Sequence, residues 1–98
     1  MFIVTLTLTE KKTEAAAFMA AHNDWLAEGF AAGAFLLAGS LRPQGGGAIL
    51  VGPQDRAALE ARIAADPFVQ EGIALPHIQE VAPARTDPRL SALQAAAL

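Results

Sequence analysis

The sequence predicts an α+β domain in which four strands form one antiparallel sheet and two helices cover one of its faces. Three observations carry that expectation. Hydrophobic periodicity alternates, turns helical and alternates again along the chain, in the order β-α-β-β-α-β. Ninety-eight residues provide for one core and not two. Two amphipathic helices in that order pack most economically on the same side of the sheet.

Phe2 to Leu8 alternates, with Phe2, Val4, Leu6 and Leu8 on one side and Ile3, Thr5 and Thr7 on the other. That is a strand with one face more apolar than the other. Thr9 to Lys12 is a polar break, and Thr13 is the expected N-cap of an alanine-rich helix. At 100° per residue the apolar face of this helix collects Ala15, Phe18, Met19, Trp25, Leu26 and Gly29, with Asp24 and Glu28 opposite. Gly33 stands where a helix C-terminal glycine belongs. Ala34 to Leu41 is the second strand, Pro43 and Gly45-Gly46-Gly47 form the turn, and Ala48 to Val51 is the third strand. Gln54 or Asp55 opens a second helix through Ala57, Leu59, Ile63 and Ala64. Asp66-Pro67-Phe68 stops it and starts a short turn that ends near Gly72. Ile73 to Val81 is the fourth strand, and Pro76 argues for an edge position or a bulge, since proline donates nothing to a ladder. The arrangement is ferredoxin-like, with the domain spanning residues 1–83. A tail over 84–98 follows, ending in SALQAAAL, a marginal helix too short to stand without a docking surface.

Composition narrows the function. The chain is 53% hydrophobic but only 6% aromatic, so small residues and a few anchors build the interior. A mean hydropathy of +0.33 is high for a domain this small and points to apolar surface covered by a second copy, a homodimer. Net charge is −3, and no basic stripe interleaved with aromatics is present, so nucleic-acid binding is not expected. The absence of cysteine removes a disulfide framework, a thiolate metal site and a cysteine nucleophile. MFIVTLTLTEKK lacks the parts of a signal peptide, and no apolar run approaches the ~20 residues that span a bilayer. The expectation is a cytoplasmic protein with no membrane partner.

One residue breaks the helical pattern. His22 lies near the centre of the face shared by Phe18, Trp25 and Gly29. Taken by itself it is a core histidine satisfied by one hydrogen bond. Topology adds company: the first helix begins at the end of the sheet where the first strand finishes, and the second strand and second helix finish there too. This brings His22, Ser40 and Asp66 around one rim. A carboxylate at one ring nitrogen fixes the tautomer and leaves the other nitrogen as a general base, or an acid once protonated. Asp66 has a second use as the N-cap of the DPFVQEG turn, and its two oxygens serve both. Trp25 and Arg42 complete the candidate binding set, Arg42 either holding an anion at the rim or standing solvated in a loop. The glycine run precedes a strand, not a helix, and is a hairpin turn rather than a phosphate loop. His77 finds no third ligand at metal-site spacing, so neither a metal nor an organic cofactor is expected.

The strand FIVTLTL, the stretch AHNDWLAEGFAAGAFLLAGS, the GGGAIL strand and the segment ADPFVQEGIA together resemble the YCII-related domain family. The resemblance covers Met1 to about Pro83. It implies a dimeric α/β-barrel protein, similar in fold to muconolactone isomerase-type proteins, whose dimers form through sheet faces. It also implies an active site built on a His-Asp pair, matched here by His22 and Asp66. The chain departs from the pattern at Ser40, where relatives often carry proline after glycine; here the proline comes later, as Pro43. Two functions follow. One is a small cofactor-free enzyme, lyase or isomerase in type, in which the pair moves a proton on a small metabolite. The other is a non-catalytic ligand-binding or assembly module of the same fold.

Overall fold

The computed structural model describes residues 1–91 and Leu93. The strands β1 (Phe2–Leu8), β2 (Phe35–Ser40), β3 (Gly47–Val51) and β4 (Ala74–Glu80) form one sheet in the order β2-β3-β1-β4, with every neighbouring pair antiparallel. The helices are α1 (Ala15–Ala31), α2 (Arg56–Ala64) and a single turn, α3 (Pro67–Gln70). This is the ferredoxin-like α+β arrangement. Pro76 lies in β4, an edge strand paired only with β1, where its missing N–H costs least.

The helix-facing residues of the sheet fall in rows set by the register. Phe35, Val51 and Phe2 make the first row, and Ala38, Ile49, Val4 and Ile78 the second. Ser40, Gly47, Leu6 and Pro76 make the third, with Leu8 and Ala74 beyond it. The core gathers Phe2, Val4, Val51, Phe35 and Ile49 from the sheet with Trp25, Leu59, Ile63, Phe68 and Ile73 from the helices and loops. Val4, Val51, Leu59 and Ile73 are fully buried.

The helix α1 runs back along this layer, from Ala15 beside Leu6 and Leu8 to Gly29 beside Phe35. A β-carbon at Gly29 would run into the Phe35 ring, so only glycine permits this approach. The expected cap at Thr13 is not the one used. Thr9 accepts a hydrogen bond from Lys11 N and opens a 3-10 turn over Glu10–Glu14 that contains Thr13; α1 begins after it. Thr9 Oγ1 also donates to the Gly72 carbonyl at 2.7 Å, which ties the end of β1 to the approach to β4. That long-range partner is what a local sequence window lacks. Gly33, at φ 75°, closes the other end of α1 as expected.

Ile3, Thr5 and Thr7 face away from the helices, beside Leu50 and Ala48 on β3 and Gln79, His77 and Leu75 on β4. The expected helix over Ser91–Leu98 lies, apart from Ser91 and Leu93, outside the described residues. Among the described residues no helix is long and apolar enough to cross a membrane.

Candidate active site

The candidate site is assembled from the Asp66-Pro67-Phe68 turn and the middle of α1. Asp66 caps α3: its Oδ1 accepts from Phe68 N at 3.0 Å, and Pro67 occupies the first turn, where no N–H is needed. The same Oδ1 lies 2.7 Å from His22 Nδ1. A distance this short fits an N–H donating to a carboxylate. Both groups are inside the protein, His22 at 9% exposure and Asp66 at 0%. The second carboxylate oxygen, Oδ2, has no hydrogen-bond partner among the described residues. The protein therefore holds a half-satisfied buried carboxylate against one imidazole, an arrangement that costs stability.

Aromatic rings fix the plane of that imidazole. Phe68 stacks on it with centroids 4.1 Å apart and planes 3° from parallel. Trp25 lies at 5.7 Å and 30°. Phe68 thus acts twice, its backbone steadying the Asp66 carboxylate and its ring steadying His22. Trp25 is committed elsewhere: its Nε1 donates to the Arg62 carbonyl at 2.9 Å, which joins α1 to the last turn of α2, and its ring meets Phe35 edge-on. That bond ties α1 to the chain one turn before Asp66, and His22, one turn before Trp25, comes within reach of the carboxylate.

The other side of the ring opens on a cavity of about 380 Å³ between α1 and the third-row end of the sheet. Leu6, Leu8, Met19, Leu26, Ile49 and Phe68 supply its apolar wall; His22, Asn23 and Ser40 are its polar side chains. With Nδ1 engaged by Asp66, Nε2 is the ring nitrogen left to a molecule in this space. Gly46, at φ 81°, passes so close to the Leu6 carbonyl that a β-carbon would strike it, and this lets the β2–β3 turn close over the cavity's end.

The structure pairs His22 with Asp66, and Ser40 lines the cavity that His22 also lines. Trp25 lies behind the histidine and does not line the cavity, and Arg42 is exposed in the turn and lines it no more than Trp25 does. His77 pairs with Thr5 on the opposite face of the sheet. Among the described residues no three side chains of the metal-binding types converge. Sequence reasoning did not single out Phe68, Asn23 or Met19 for the site. The signals were present: Phe68 follows the acid by two positions in the same cap, and Met19, Asn23 and Leu26 share a stripe of α1 at helical spacing.

Comparison with known proteins agrees with this architecture. The model of the YCII-related domain matches residues 1–81. The chain belongs to this family. Among solved structures it is similar to 5-chloro-2-hydroxyhydroquinone dehydrochlorinase (TftG) from Burkholderia phenoliruptrix AC1100, in complex with 2,5-dihydroxybenzoquinone. The two share 13% identity at a TM-score of 0.70, over 82% of this chain and 91% of that one. At that identity the likeness establishes the fold. No curated protein matches the sequence.

Proposed function

We propose that this YCII-family protein is a small acid/base enzyme, lyase or isomerase in type, in which Asp66 orients His22 and His22 moves a proton on a small molecule in the cavity. One observation carries the reading: an imidazole bonded through Nδ1 to a buried carboxylate at 2.7 Å also lines a mostly apolar cavity. A neutral ring so oriented presents the Nε2 lone pair, which accepts a proton from a substrate O–H or C–H. The electron pair left behind then either expels a leaving group from the neighbouring carbon or takes the proton back at another atom. The first outcome is elimination and the second isomerisation. No metal or organic cofactor is invoked for either step. The similar fold of a dehydrochlorinase solved with a one-ring quinone supports a lyase on a compact substrate.

A thermal-shift screen of small metabolites on the wild type and His22→Ala tests the reading. The expected hit raises the melting temperature of the wild type only, and is turned over by the wild type but not by Asp66→Asn. Turnover at the wild-type rate by either variant would refute the proton-transfer role. A ligand that binds through His22 and is never converted would instead favour the binding module.

We further infer a homodimer through the sheet face that carries no helix. Leu37 and Leu75 are more than half exposed on it, Leu37 beside half-buried Leu50 and Ile3 and Leu75 beside Thr7, and such a surface is better covered than solvated. Sedimentation should show a dimer that Leu75→Asp converts to monomer. A monomeric wild type contradicts the inference.

A further inference from the structure

We infer that the cavity selects an uncharged ring compound carrying a hydroxyl or carbonyl group, and discriminates against the same ring bearing a carboxylate or phosphate. This rests on the cavity being the ligand site, as proposed above, and adds the chemical class it takes. The lining holds no lysine or arginine, and His22 is its sole titratable side chain among the described residues. Behind His22 stands the Asp66 carboxylate, whose Oδ2 is buried and unpartnered. An anion entering the cavity would therefore meet apolar walls and an imidazole already engaged by one negative charge. The cleft is open to solvent along Met19, Asn23 and Ser40, and a carboxylate that gives up water to enter it gains no lysine or arginine in return.

The neighbouring cations do not supply one. Arg42 is exposed and lines neither the cavity nor the groove beside it. Lys12 lines that outer groove together with Glu10, which offsets its charge. A neutral ring meets a better match. Its faces rest on Leu6, Leu26, Ile49 and Phe68, while a hydroxyl finds His22 on α1 and Ser40 on β2 as partners on two different walls. Volume agrees with a single substituted ring. A dry cavity of roughly 150 Å³ already holds benzene, so about 380 Å³ accommodates a ring with several substituents.

Matched pairs test the charge preference without knowledge of the natural substrate: para-cresol against para-hydroxybenzoate, and methylhydroquinone against gentisate. Each is titrated into isotopically labelled protein at neutral pH and followed by amide shifts of Met19, Asn23, Leu26 and Ser40. The expected result is saturable shifts for the neutral member of each pair, with the carboxylate at least tenfold weaker. Met19→Lys, which puts a cation on the cavity wall, should narrow or reverse that ratio. Carboxylates binding as well as their neutral partners overturn the charge selectivity and leave the cavity as a ligand site. Absence of cavity shifts with every probe overturns the ligand site itself, and this inference with it.

Discussion

The two ends of the layer between sheet and helices differ in the size of the residues that β2 and β3 contribute. At one end Phe35, Val51 and Phe2 stand side by side beneath Trp25, and α1 comes so near that Gly29 must be glycine. At the other, Ser40 and Gly47 stand in the places of Phe35 and Val51, Leu6 stands in that of Phe2, and a cavity is left. The same helix roofs both ends, so its distance from the sheet is set where the aromatic residues are and cannot close down where the small ones are. Protein interiors otherwise pack with few voids, so small side chains under a propped helix are what hold the space open. His22 stands at the boundary, one turn from Trp25, between rings that fix it and a space that leaves Nε2 free.

Breaking the filled end should have the largest effect. Phe35→Ala removes a buried ring from the first row and is expected to cost ~3–5 kcal/mol, read as a drop in melting temperature of roughly 10 °C or more. A loss below about 1 kcal/mol would mean that this end is less tightly packed than described.

The boundary comes next. Asp66→Ala removes the α3 cap and the bond to His22 together, and should cost about 2–3 kcal/mol in denaturant unfolding. Asp66→Asn keeps an oxygen for the cap and the imidazole and should cost about 1 kcal/mol, with the amide nitrogen in the place of the unpartnered Oδ2. If both substitutions cost the same, the carboxylate contributes through burial and not through its two bonds.

The hollow end should show the smallest change in stability. Ala38→Leu adds bulk to the cavity wall where no packed neighbour has to move, so stability should stay within about 0.5 kcal/mol. Ligand binding, measured by the amide titration described above, should be lost. A strong destabilisation would show that the space is not free.

The layout of the sheet was legible in the chain, because it follows from periodicity and element order. The strict alternation of Phe2 to Leu8 marks β1 and its faces, and Pro76 marks an edge strand. The β-α-β-β-α-β order alone brings residues 22, 40 and 66 to one rim. What was not legible depends on partners distant in sequence. Thr9, not Thr13, opens the first helical segment because Gly72 and Ile73 come back to receive its hydroxyl. Trp25 turns its N–H to the Arg62 carbonyl and so leaves the cavity to Met19 and Leu26, which a helical wheel places on the same apolar face with no way to rank them. The stacking of Phe68 on His22 likewise depends on how the single turn of α3 docks, a tertiary fact that periodicity does not encode.

The orientation of one imidazole is the claim on which the chemistry rests, and long-range proton–nitrogen NMR of the His22 ring reads it directly. In the neutral form the proton should reside on Nδ1, donated to Asp66, with Nε2 bare, and this preference should be lost in Asp66→Ala. A ring protonated on Nε2 in the wild type, with Nδ1 bare, would contradict the account.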